Sequence, residues 1–515
     1  MISQFAADLQ YRDIPTRIVD LCDVQTKSVV AATFASEGDP ASNRVAKGIR
    51  DQANINLKTG MTKSGDIDSS SLLYLALTRS IALDFDDYMC FAHAGHSSSL
   101  VPIVAAELFK KTYEERIVAQ VIGNEVAGRL GGSCLIGPLN GQMWSFVHAA
   151  SSALCFGKLM GLDKDKLSNA LSLALWQAPR PITPGFMKPD SKLLTALEPS
   201  AVGIRAAYLA AAGVSGPLDI FDARDGFYCV FSFLPIKKMF ESIGDGWALD
   251  TLSVKAYPGC AYIDTIVDAL HQIGPVDIDS IKSVDIYANA LTLGMDKMSE
   301  PYRPRGQIFG ADPDSETTPV NINFSVGINV AIMLIAGALT PAELKPEFLR
   351  LNSASINRVL SLTKLHHDSS YTLKSIASFE TIAPIGNVLR SIPPNKLLQV
   401  VRDIRKHLPS VVNLSQVVSL IAQVDKPKAL HAFQKSKRTF FDNEALENFN
   451  MTFPARVVIQ LKTGQKLESQ VSVPKGGAGN TVSSPAEIAN LKYKTWTKNP
   501  NVKTLSIKDI VPEFK

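Results

Sequence analysis

Residues 1 to about 250 read as helix after helix. Ser71-Leu72-Leu73-Tyr74-Leu75-Ala76-Leu77 through Ile81 is apolar on almost every side, which predicts a central buried helix. Val101–Leu108, Ile117–Leu130, Trp144–Leu159, Leu167–Trp176 and Ala201–Ala212 continue the pattern. Ala and Gly are dense in these segments and let helices approach closely. Gly161, Gly213 and Gly226 stand where helix C-caps are expected.

The texture changes at about residue 253. Apolar and polar residues roughly alternate in Ile281–Ala288, a strand signal. Val457–Leu461, a turn around Thr463-Gly464, and Leu467–Val473 predict a hairpin. A helical stretch, Val320–Leu339, lies between these strand regions, and Pro474–Asn480 reads as a flexible loop. The pattern predicts a mostly α protein with an α+β second domain. The expected division is a helical domain over 1–252, which 481–515 could rejoin, and an α+β domain over 253–480. A helical, basic insertion is expected at about 365–445, carrying Arg402, Arg405, Lys406, Lys426, Lys428, Lys435 and Lys437 on a solvated face.

At 515 residues the chain exceeds what one ordinary core serves. Its 46% apolar and 20% charged content is that of a soluble globular protein. A net charge of +4 with scattered lysines makes no basic stripe for nucleic acid. Cys22, Cys90, Cys134, Cys155, Cys229 and Cys260 form no Cys-x-x-Cys pair, so neither a zinc knuckle nor an iron–sulfur cluster is indicated, and reduced thiols in a cytosol-like compartment are expected. The N-terminus lacks a basic segment followed by a long apolar one. The longest apolar run, Val326–Leu339, is shorter than the roughly 20 residues a membrane span needs. The expectation is a cytoplasmic protein with no membrane or nucleic-acid partner, no metal and no cofactor.

Chemistry concentrates in Asp84-Phe85-Asp86-Asp87-Tyr88 and His93-Ala94-Gly95-His96-Ser97-Ser98-Ser99. Carboxylates and imidazoles this close can act on one substrate as proton donor and acceptor. The small residues suit a loop at a helix start, where backbone N–H groups face an anion. A polar turn with an N-cap serine is the plainer alternative.

The stretch resembles the MmgE/PrpD family of 2-methylcitrate dehydratases, cis-aconitate decarboxylases and iminodisuccinate epimerases. The similarity rests on Asp84–Asp87, the His after it and a helix beginning Val101-Pro102. Further matches occur in order: Gln4–Leu9 with Ile14-Pro15, Gly123–Leu130, Gly157–Leu162, Asp225-Gly226-Phe227 and Lys255–Cys260. It covers roughly 1–340 and 450–490. The resemblance implies an all-helical domain with a smaller α+β lid, a homodimer formed through the helical part, and a small carboxylic acid as substrate.

It also implies roles for individual residues. Asp84, His93 and Lys255 align with catalytic groups, His93 as general acid or base. Lys192, or Lys188 close by, would reach a substrate carboxylate from a loop. His96, Ser97, Gln142, Tyr257 and Cys260 are candidate substrate contacts, with His96 and Ser97 equally readable as helix caps. Asp86 and Asp87 are weaker candidates, one of them a loop cap. The chain departs from the family pattern at Gln142, Thr195, Cys260, Asp264 and Ile328. These changes imply a substrate with fewer carboxylates or an apolar portion. The expected chemistry is metal-independent proton abstraction beside a carboxylate, with dehydration ranked first and decarboxylation or epimerisation as alternatives. A non-catalytic metabolite-binding homologue is the reading from another class.

Overall fold

The computed structural model describes residues 1–53, 69–138, 145–179, 183–187, 190–300, 319–407, 439–498 and 501–512. The first half is helical: α1 (Ile2–Asp8), α2 (Thr16–Ala35), α3 (Pro40–Ala53), α4 (Ser69–Ala82), α5 (Gly95–Leu108), α6 (Tyr113–Ser133), α7 (Phe146–Met160), α8 (Lys164–Leu175), α9 (Thr183–Met187) and α10 (Leu194–Ala211). Thr112 starts α6 with a capping box shared with Glu115, and Gly161 ends α7 in the left-handed conformation at φ 85°. α7 packs between α6 and α10. A Cβ at Gly203 would collide with the Ala149 carbonyl, so this glycine permits the close approach of α10 to α7. α4 and α5 are buried along most of their described length, as the apolar run from Ser71 predicts.

Two short strands, β1 (Asp87–Tyr88) and β2 (Ser253–Val254), pair antiparallel and tie this helical half to the C-terminal half. Helix α11 (Asp264–Ile273) then precedes a four-stranded sheet built from β3 (Ile281–Ala288), β4 (Thr363–His367), β5 (Ala455–Leu461) and β6 (Lys466–Val471), ordered β4-β3-β5-β6. β3 and β4 are parallel, and the other pairs are antiparallel. Val284, Ile286 and Ala288 are buried in the same core as Ile266, Val267 and Leu270 of α11. Helix α12 (Val326–Ala336) joins that core through Ile328 and Ile332 and ends at Gly337, φ 70°. The protein is thus largely helical with a small mixed sheet. Its buried apolar residues fall into a larger helical core and a smaller one around the sheet.

The C-terminal helix α13 (Pro485–Trp496) returns to lie along α2, near the other end of the chain. Among the described residues no helix is long and apolar enough to cross a membrane.

Two expectations need correction. Gly226 does not cap a helix C-terminus; it precedes the short helix Phe227–Phe231 as its N-cap, at φ −80°. The segment Pro474–Asn480 is not a loose loop. Val254 N–H donates to Gly476 O at 2.7 Å, Met451 N–H to Ala478 O at 2.9 Å, and Ala478 N–H to Ser253 Oγ at 2.9 Å. The 365–445 region contributes to the larger core. Its helix Ser369–Ile382 brings Ile382 into the larger core, and Phe379 lies 6.0 Å from Phe91, ring to ring. Lys426, Lys428, Lys435 and Lys437 lie outside the described residues.

Candidate active site

The site is built on the β1–β2 ladder. Asp87 faces Val254 and Tyr88 faces Ser253, and the Lys255 N–H extends the pairing by donating to Asp86 O at 3.1 Å. Asp86 and Lys255 therefore stand side by side. Lys255 Nζ donates to Asp86 Oδ1 at 2.8 Å and to Asp84 Oδ1 at 2.6 Å. The other Asp84 oxygen, Oδ2, accepts from Lys192 Nζ at 3.0 Å. Lys192 sits in the 3₁₀ turn Asp190–Leu193 ahead of α10, over the ring of Phe324 at 4.4 Å.

Backbone geometry sets these positions. Asp84 adopts φ 52°, a left-handed conformation that aspartate tolerates better than most residues. Gly259, at φ 116°, turns its N–H onto the carbonyls of Leu83 and Asp84 at 3.1 and 3.2 Å. The Lys255–Gly259 turn thus wraps the acidic segment.

The imidazoles stand on the other side of Asp86. His96 Nε2 lies 2.9 Å from Asp86 Oδ2, and His93 Nδ1 lies 3.7 Å from the same oxygen. Ser80 Oγ is 2.8 Å from His96 Nδ1. His148, from α7, lies 5.9 Å from His96 between ring centroids, and its Nδ1 is 2.8 Å from Ser97 Oγ. His93 alone of the acid, lysine and histidine side chains of this group shows appreciable exposure, at 12%.

Burial and charge oppose one another here. Burial alone would raise the Asp84 carboxyl, but the Lys192 and Lys255 ammonium groups outweigh it and hold it low. Asp86 is held well below the usual carboxylate range despite its burial, by Lys255 and then His96. For Lys255, burial acts downward, but the Asp84 and Asp86 carboxylates raise it overall. Burial lowers His93. Asp87, whose Oδ2 accepts from Gln25 Nε2 at 3.0 Å, is pushed up to about 7 by burial and then by Asp86. The result is a buried cluster of two carboxylates, two ammonium groups and three imidazoles.

Asp84, His93, Lys255, Lys192 and His96 are all brought together here. Cys260 is adjacent and buried, its thiol pushed up to about 12 by burial and then by Asp84. Three candidates sit otherwise than expected. Tyr257 turns away from the acids: its hydroxyl donates to Asp268 Oδ1 at 2.6 Å and its ring stacks on His271. His96 and Ser97 do not cap α5. Both lie inside its first turn, whose N-cap is Ala94, and their polar atoms face Ser80 and His148 instead. Gln142 and Lys188 lie outside the described residues. Of the family departures, Thr195 Oγ1 donates to Lys192 O at 2.6 Å, Asp264 opens α11 with its carboxyl raised by burial, and Ile328 is core.

Three members are undervalued or missed in the sequence. Asp86 is one of two weaker candidates, yet it links Lys255 to both near imidazoles. His148 lies among the small residues of α7 and reads as core. Lys492, on α13, is buried and donates to Phe85 O at 2.6 Å, Ser28 Oγ at 2.9 Å and Lys255 O at 3.2 Å. It therefore clamps the acidic segment to the lysine segment.

A separate cavity of about 110 Å³, lined by Leu270, His271, Pro275, Met333 and Leu334 among others, contains none of these groups. Among the described residues no cluster of three or more His, Cys, Asp or Glu is arranged to hold a metal ion. Residues 1–236 match the model of the MmgE/PrpD N-terminal domain. A search of curated proteins gives no match.

Proposed function

Residues 1–236 place the chain in the MmgE/PrpD family, and from that premise we propose that it is a lyase acting on a small organic carboxylic acid by proton abstraction next to a carboxylate. The observation that carries this reading is the convergence of Lys192, Lys255 and the imidazoles on Asp84 and Asp86. A base takes the proton from the α-carbon. The C–H electron pair moves into the carboxylate, and Lys192 and Lys255 stabilise the added charge. In dehydration the pair returns to form a carbon–carbon double bond and expels the β-hydroxyl, which leaves as water with a proton that His93 carries as an imidazolium. Reprotonation on the opposite face would give epimerisation, and loss of carbon dioxide would give decarboxylation. Dehydration is the first outcome we assign.

The finer architecture belongs to the same reading: a helical domain over 1–252 that α13 rejoins, and an α+β part acting as its lid. Thr195 in place of an ionisable family histidine supports a substrate with fewer carboxylates or an apolar portion.

One observation favours a binding protein instead. Both Asp84 oxygens are already bound by lysines, so a ligand carboxylate must compete with an internal one. Incubation in deuterated water with mono-, di- and tricarboxylic acids, some bearing a β-hydroxyl, separates the two. Deuterium at the α-carbon together with an unsaturated product supports the lyase. Binding without exchange for every acid supports the binding protein.

A further inference from the structure

We propose that His148 is a further catalytic residue, the neutral base whose Nε2 takes the α-proton of the bound acid. This rests on the lyase reading above and assigns one of its two proton-transfer roles.

The proposed base is the Nδ1–H tautomer. Ser97 Oγ lies 2.8 Å from His148 Nδ1 and donates to Ala94 O at 3.2 Å. A hydroxyl has one proton, and a carbonyl can only accept. In the proposed base that proton is on Ala94 O and His148 Nδ1 donates to Ser97. The neutral ring then carries its lone pair on Nε2. That atom is fully buried and has no hydrogen-bond partner among the described residues. Buried polar atoms are nearly always satisfied, and an unsatisfied one calls for an unfilled partner.

His96 is constrained in the opposite sense. Its Nε2 stands 2.9 Å from the Asp86 carboxylate, which can only accept, so the proton is on Nε2. Nδ1 of the neutral ring then accepts from Ser80 Oγ at 2.8 Å. One imidazole thus has an anion at Nε2, and its neighbour 5.9 Å away has a bare lone pair. Burial, followed by the nearby His96 and His93, holds His148 well below the usual histidine range, with Asp86 acting weakly the other way. The ring is therefore neutral at pH 7 and ready to accept. On transfer the α C–H bond breaks, its electron pair enters the carboxylate, and the proton bonds to Nε2. Nδ1–H stays on Ser97. His93 is left to deliver the proton that the hydroxyl needs.

Two measurements test this on the full chain. Ring-¹⁵N NMR of histidine-labelled protein, with the His148 signals identified by their loss in His148→Asn, should show the Nδ1–H tautomer at pH 7. Addition of a carboxylic acid from the panel should move the Nε2 resonance. The Nε2–H tautomer, an imidazolium, or an unmoved Nε2 overturns the assignment, even if no acid undergoes exchange and the lyase reading itself fails. In the second measurement, His148→Asn retains a donor for Ser97. It should keep its melting temperature and acid binding while α-proton exchange falls at least about 100-fold. Undiminished exchange in that variant overturns the proposal and leaves the lyase reading standing.

Discussion

Lys255 Nζ lies 2.6 Å from Asp84 Oδ1, and both side chains are only 1% exposed. The two residues are 171 positions apart, and a ladder of two residue pairs brings them together. Burying charge this deeply is tolerable because each oxygen of Asp84 and one of Asp86 meets an ammonium.

Removing one partner should therefore be costly. Lys255→Met leaves Asp84 with one ammonium and Asp86 without any. Urea unfolding should show a loss of about 3–5 kcal/mol. A loss under about 1 kcal/mol would mean that the cluster is solvated and not the buried network described.

The two near imidazoles should separate by phenotype. His93 is partly exposed, so His93→Gln should leave the melting temperature unchanged while acid-dependent exchange falls about 10²–10⁴-fold. His96 is fully buried between Ser80 and Asp86, so His96→Gln should lower both stability and exchange. Thermal melts and exchange rates on both variants check this. Equal behaviour of the two would refute the division.

Lys492 should matter although it lies on the last helix. Lys492→Met keeps the volume but leaves the Phe85 and Lys255 carbonyls without their donor. Denaturant titration should give a loss of about 2 kcal/mol. Acid binding should weaken as well, because the clamp sets the spacing of the two segments. A variant with wild-type stability and binding would make the clamp incidental.

Asp87 gives a pH signature. Its folded pKa is raised to about 7 by burial and then by Asp86, against about 4 when unfolded. Between those values the folded state binds the extra proton, so this group's contribution is fully present below about pH 4 and is lost as pH rises through about 7. Asp39 and Glu380, each raised to about 6 by burial, act in the same direction. The stability of wild type relative to Asp87→Asn should therefore increase as pH falls from about 7 to about 4. A difference that is flat across this window would show that Asp87 is ionised in the folded protein.

Much of the site is legible in the sequence because its parts are local or carry a family pattern. Asp84, His93 and Lys255 lie in short motifs whose order along the chain is informative. The helix from Ser71, the strand Ile281–Ala288 and the hairpin around Gly464 follow from apolar periodicity and turn chemistry. The rest depends on tertiary placement that leaves no local mark. Lys492 sits on an ordinary amphipathic helix, and only the packing of α13 on α2 brings it to Phe85. His148 is surrounded by Ala and Ser, which is what a close helix contact requires whether or not the histidine reacts. Asp86 is easily undervalued because a pair of adjacent aspartates gives no hint of which one the later ladder will face. Tyr257 is easily overvalued because its neighbour Lys255 enters the cluster, whereas the turn carries the phenol to Asp268.

The site reading stands or falls on whether a substrate carboxylate binds where Lys192 and Lys255 meet Asp84. A crystal structure of the protein with an exchanging acid bound decides this. A carboxylate oxygen should lie within hydrogen-bond distance of Lys192 or Lys255 Nζ, with the α-carbon beside His93 and His148. An acid bound elsewhere, with both lysines still closed on Asp84, would refute it.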